Sequence, residues 1–171
     1  MVTALMQALE ELEATVLEVP ETRLNTIPPQ GGWTQAQVVM HLLHSYASVL
    51  KTLHDTGMPA LRPADAQLAQ LAAVFLDGES RLKAPLQLLP EHKYYDKEML
   101  LRMLVNARTQ FAEVPFTLAF DETCMHPILG AVTRLELLAL AGMHTRRHLW
   151  QMARITQAIA MKTGYPDAVK K

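Results

Sequence analysis

The chain has 171 residues, half of them hydrophobic and 19% charged, with a net charge of −1 when the seven His are counted neutral. That length suits one domain with a sizeable core, and the composition excludes a disordered chain. The near-neutral charge argues against a nucleic-acid-binding surface or a polybasic membrane anchor, and the single cysteine, Cys124, excludes an internal disulfide framework.

The first helix is expected over 2–19, where Leu5, Leu9, Leu12, Val16 and Val19 recur at three- and four-residue spacing before Pro20. Glu10, Glu11 and Glu13 sit where a secretory signal would need a basic start and an apolar run. No apolar run reaches membrane-spanning length. With one thiol and neither leader nor span, the expected location is the cytoplasm. Ile27-Pro28-Pro29-Gln30-Gly31-Gly32 then breaks both regular structures.

Thr34 and Gln37 form a capping box that opens a second helix, expected over 34–54. Its apolar stripe is Val39, Leu42, Tyr46, Val49 and Leu53. At about 100° per residue, His41 lies at the flank of that stripe, beside Val38 and Ser45, while His44 lies on the far side with Ala47 and Lys51. His41 is therefore the better inward candidate, and His44 reads as a solvated residue.

A long crossover follows over 58–95, with Pro59, Pro63, Pro85 and Pro90, a short helix expected over 64–76 and a helical turn over 81–89. Such a connection need not join antiparallel neighbours, so the helices on either side of it are free to run parallel. The third long helix is expected over 96–118, with Met99, Leu100, Met103, Leu104, Ala107, Phe111 and Val114 on its apolar face. Residues 121–130 read as a loop. Thr133 and Glu136 form a second capping box, opening a last helix over 133–163, which Gly164, Tyr165 and Pro166 end. The pattern is all-α, a four-helix bundle with one long crossover between helices two and three and no sheet.

The chemistry concentrates on the last helix. His144 and His148 are four residues apart and share one face with Leu137, Leu140, Ala141, Gln151 and Ile155, all within about 60° of His144. Two imidazoles thus point among aliphatic side chains. Hydrogen bonds in the core satisfy such a pair, and so does a metal ion. Thr145 follows the first His where a metalloprotease has Glu, and no Glu stands three residues before either His as in di-iron bundles. A metal reading needs a third ligand, and His41 supplies the candidate. Other polar residues that reach toward such a site are Tyr46, His126, Arg147 and Gln151, each of which also has a plain packing, turn-fixing or solvated role open to it. Trp33 and Trp150 read as packing residues, and Cys124 as a structural or surface thiol.

Gly32-Trp33-Thr34 followed by His41-Leu42 resembles the start of helix two in the DinB/YfiT-like metalloenzyme superfamily. His126-Pro127-Ile128-Leu129-Gly130, then Thr133 to Glu136, then His144 and His148-Leu149-Trp150-Gln151, resembles its C-terminal half. The resemblance covers nearly the whole chain by helix order. It implies an up-down-down-up bundle, usually a homodimer, in which His41, His144 and His148 hold one divalent ion. Zn, Ni, Fe and Mn all accept imidazole, so the ligands do not choose among them. Relatives include S-transferases that use low-molecular-weight thiols such as bacillithiol or mycothiol, isomerases of the maleylpyruvate type, and members without a known activity. The implied function is therefore a metal-dependent enzyme acting on a small-molecule substrate, with a thiol co-substrate in the transferase reading. A metal-dependent hydrolase and a non-catalytic metal-binding or structural bundle are the alternatives. Arg147 stands where relatives frequently carry a further His.

Overall fold

Capping side chains start the long helices where the sequence asks for them. Thr34 Oγ1 accepts from the Gln37 amide at 3.2 Å while Gln37 Oε1 accepts from the Thr34 amide at 3.0 Å. Thr133 Oγ1 accepts from the Glu136 amide at 3.1 Å and Glu136 Oε2 accepts from the Thr133 amide at 2.9 Å. Each box satisfies two amides that a helix start otherwise leaves bare. Asp96 Oδ1 caps a third start, accepting from Met99 at 2.7 Å.

The computed structural model describes residues 2–78, 83–115, 117–126 and 129–163. Its helices are α1 (Val2–Glu18), α2 (Glu21–Leu24), α3 (Gln35–His54), α4 (Leu68–Phe75), α5 (Lys97–Ala112) and α6 (Arg134–Thr163). A 3-10 turn spans Leu86–Leu88. The first part of the expected 81–89 turn, Pro127 and Ile128, and the helix stop at Gly164, Tyr165 and Pro166 lie outside the described residues.

Helices α1, α3, α5 and α6 form a four-helix bundle. α1 packs against α5 and α6, α3 packs against the same two, and α1 and α3 take opposite corners. Leu5, Leu9, Leu12 and Val16 from α1 meet Leu42, Tyr46 and Val49, Leu100, Leu104 and Phe111, and Leu137, Met152 and Ile155 in one core. Gly142 lets α1 approach α6 closely: a Cβ there would stand 3.4 Å from the Leu5 Cα. No helix among the described residues is long and apolar enough to cross a membrane.

Two expectations are corrected. α5 stops at Ala112 rather than 118, because a proline at 115 drives the residues before it out of helical geometry. The region expected to be a loop without a sheet forms β2 (Glu122–His126) and β3 (Gly130–Thr133), an antiparallel hairpin, with β1 (Met58–Pro59) on the outer side of β2. Cys124 pairs with Val132 and both are buried, whereas Met125 opposite Ala131 faces out, so the alternation is real but short. Gly130, at φ +72°, supplies the left-handed residue that brings the chain back into β3. This sheet flanks the bundle, and its Cys124 and Val132 join the same hydrophobic core. Arg134 ties the two together, pairing with Glu122 of β2 and donating to the Asp55 carbonyl at 2.8 Å.

Candidate metal centre

Helix periodicity delivers the three imidazoles to one place. His144 and His148 stand one turn apart on the inner side of α6, and His41 comes from the facing turn of α3. His41 Nε2 lies 3.2 Å from His144 Nε2, and His148 Nε2 lies 2.9 Å from the same atom. The ligand atoms of all three lie within 4.8 Å of one another. Ring centroids are 4.6–5.0 Å apart, with the rings edge to face.

The outer nitrogens decide what the inner ones offer. His41 Nδ1 lies 2.9 Å from the Leu88 carbonyl, which only accepts, so Nδ1 carries the proton and Nε2 carries a lone pair. His148 Nδ1 lies 2.7 Å from Gln151 Oε1, and the same argument gives the same tautomer. His144 Nδ1 lies 3.2 Å from Ser45 Oγ, a group that both donates and accepts. Two states therefore satisfy the centre. Either His144 Nε2 donates one proton between two lone pairs, or His144 donates from Nδ1 to Ser45 and three lone pairs face one point. The second state is a cation receptor. A tetrahedral ion with nitrogens at 2.0–2.1 Å needs them about 3.3 Å apart, close to what the helices already provide.

Electrostatics keep the receptor in its ligating form. Burial pushes His144 well below the usual imidazole range, with further lowering from His148, His41, Arg147 and His126. Burial, helped by the His41 charge and opposed by the Gln151 bond, pushes His148 down to about 3. His41 is lowered by burial against the opposing Leu88 carbonyl. All three are neutral at physiological pH, as metal binding requires.

Around the cluster the outcomes differ residue by residue. Gln151 orients His148. Arg147 donates to the Asp77 carbonyl at 2.7 Å, just beyond α4, and its charge reaches His144 and His148. His126 acts electrostatically on His144 while its Nδ1 accepts from the Leu129 amide at 3.2 Å, so it fixes the hairpin turn beside the site. Tyr46 belongs to the core instead of lining the site: it is buried against Phe111, and its hydroxyl bonds Thr145 at 2.7 Å. His44 is half-buried rather than solvated, with Nδ1 enclosed. Cys124 is buried, its thiol pushed up by desolvation and turned to the Val132 carbonyl, which suits a structural role.

Four contributors escaped the sequence reading. Ser45 was findable, being one turn after His41 on the same helix. The Leu88 carbonyl and Phe75, whose ring stands 5.7 Å from His144, come from the crossover, whose path the sequence leaves open. Trp33, read as packing at a helix start, stands 5.0 Å from the His41 ring as a second aromatic wall.

A helical bundle with three convergent, neutral imidazoles, two of them buried and one half-buried, set between two of its helices defines a class of candidate metal-binding bundles. The sequence profile of the DinB superfamily matches residues 4–152, and the chain belongs to that superfamily. Among curated proteins no match is found. A solved structure is similar in fold: YfiT from Bacillus subtilis, described as a probable metal-dependent hydrolase with an unusual four-helix bundle topology. The two share 24% identity over 96% of this chain and 86% of that one, with a TM-score of 0.57.

Proposed function

We propose that the protein binds one divalent metal ion through the Nε2 atoms of His41, His144 and His148 and is a metal-dependent enzyme of the thiol S-transferase type. The observation that carries the reading is the convergence of three neutral imidazole nitrogens whose outer nitrogens are already engaged. A divalent ion held there supplies Lewis acidity and lowers the pKa of a coordinated thiol or water. The chain's own residues supply the rest. The Leu88 carbonyl and Gln151 hold two tautomers, Ser45 receives the third proton, and Trp33 and Phe75 shield two sides of the cluster from water. Among the described residues no carboxylate is hydrogen-bonded to these imidazoles. In this reading the nucleophile is a low-molecular-weight thiol attacking an electrophilic small molecule.

The likeness to YfiT favours a second reading, metal-dependent hydrolysis, in which water takes the thiol's place. Purified protein analysed for metals and then assayed with a panel of cellular thiols separates the two. The transferase reading expects one divalent ion per chain and turnover that requires a thiol. Turnover without any thiol supports the hydrolase, and a chain that takes up no divalent ion sinks both.

The same reading takes 1–171 as one domain and the bundle as up-down-down-up. Glu11 meets Arg146 and Leu5 meets Gly142, which supports α1 and α6 running together; Glu13 meets Arg108 and Leu17 meets Lys97, which supports α5 running against α1. Gln35 meets Thr156 and Tyr46 meets Thr145, which supports α3 running against α6. It also takes the protein as a cytoplasmic homodimer that binds neither nucleic acid nor membrane. Sedimentation at micromolar concentration checks the self-association.

A further inference from the structure

The three imidazoles turn their outer nitrogens to groups that carry no charge: the Leu88 carbonyl, the Gln151 amide and the Ser45 hydroxyl. Metal-bound His side chains often donate instead to a carboxylate, which makes the ring a stronger donor and offsets part of the ion's charge. Among the described residues no carboxylate is hydrogen-bonded to these rings, and the charged side chain of the next turn, Arg147, is a cation. Resting on the metal reading above, we infer that Gln151 is a positioning residue that holds His148 without neutralising the centre, so that the loaded site recognises a small monoanion as its direct ligand.

The physics follows from burial. A dication among three neutral ligands keeps two uncompensated charges in a region of low dielectric, and such charge is costly until an anion balances it. A carboxylate at the Gln151 position would do part of that balancing from within the protein. The amide avoids it while keeping the same reach: Gln151 is three residues from His148 on the same face of α6, and its oxygen is 2.7 Å from Nδ1. The ligand class is a compact monoanion with a donor atom for the metal, such as a thiolate or a small carboxylate. Azide serves as the probe.

Gln151→Glu is the direct test because it changes charge and leaves size almost untouched. Residue 151 is only partly enclosed, so the extra charge is tolerated in the fold. Full-length protein is loaded with Co(II), and the visible spectrum follows azide binding. Gln151→Glu is expected to hold the divalent ion about tenfold more tightly and azide about tenfold more weakly. Gln151→Ala is expected to hold the ion about 10- to 100-fold more weakly, with azide affinity of the loaded site unchanged, since it removes orientation and adds no charge. Ser45→Asp places a carboxylate beside His144 and is expected to weaken azide in the same direction. If Gln151→Glu or Ser45→Asp loads cobalt and binds azide as tightly as the parent chain, the inference is overturned while the metal reading stands. If the parent chain takes up no Co(II), the metal reading fails first.

Discussion

Helix α6 carries two buried polar clusters, and they are built on opposite accounts. At its start the Glu136 side chain is wholly enclosed and accepts from both Arg62 terminal nitrogens at 2.6 Å, from the Gln67 amide at 2.7 Å and from the Thr133 amide at 2.9 Å. Burial alone would raise its pKa, but these partners hold the carboxyl below the usual range. Four donors meet two oxygens, and nothing is left over. Two turns later His148 and His41 are buried and His144 is half-buried, and there the outer nitrogens meet other groups while the three inner nitrogens meet only one another. Burial of a polar group therefore does not mark a site. What marks it is lone pairs that the protein gathers at one point with at most one proton to share among three nitrogens.

Breaking each cluster in turn sharpens that contrast. His148→Ala should weaken divalent-ion binding by about 100-fold or more while the chain stays folded. Sharing the roughly 10–16 kcal/mol of a four-ligand zinc site evenly gives about 3 kcal/mol per ligand. Isothermal titration with Zn, beside a circular-dichroism melt, reads both quantities. The opposite pattern is expected of Glu136→Ala, which leaves Arg62 and two amides unsatisfied. It should lose about 3 kcal/mol of stability in urea, near the low end for a broken buried pair because Arg62 is 26% exposed, and still bind one ion. Should Glu136→Ala lose the ion with little change in stability, the two clusters would not be separate.

Acid sets the clusters apart again. The folded pKa values of His41, His144 and His148 lie below the unfolded value of about 6.5, so the unfolded chain takes up protons first as pH falls. Their contribution to stability is complete above about pH 6.5 and is lost below it, down toward the folded value of about 3 for His148. A urea series on metal-free protein should show that decline, and His148→Ala should flatten it. Metal affinity should hold nearly constant through about pH 6.5, since no proton has to leave the folded site. The smallest effect is predicted for His44→Ala. Its enclosed Nδ1 has no hydrogen-bond partner to lose, and its ring is outside the cluster, so the ion should bind within about twofold of the parent.

What the sequence disclosed follows from how local each signal is. The capping boxes at Thr34 and Thr133 act within four residues and place two helix starts correctly. The pairing of His144 with His148, and the inward lean of His41, needed only helix geometry. The hairpin of β2 and β3 was missed because its strands are only five and four residues long, too short for alternation to outweigh the proline and glycine in the sequence around them. Tyr46, on the apolar stripe of its helix with a packing role open to it, is held in the core by the facing Thr145 hydroxyl and Phe111 ring. Helix geometry alone misled at His44. His44 was assigned to solvent because the wheel of one helix does not show what the crossover covers. Trp150, read as packing, is 43% exposed. The Leu88 carbonyl and Phe75 arrive from chain 47 and 69 residues away from the imidazoles they meet, a distance that periodicity does not bridge.

Three imidazoles that hold one ion form a shell that can be counted. X-ray absorption at the zinc edge of the loaded, full-length protein counts them directly. Three imidazole nitrogens are expected at about 2.0–2.1 Å, with solvent oxygen completing the shell. The count should drop to two in His41→Ala, His144→Ala or His148→Ala wherever an ion is retained. One or two imidazoles in the parent chain, or a spectrum unchanged by all three substitutions, would contradict it.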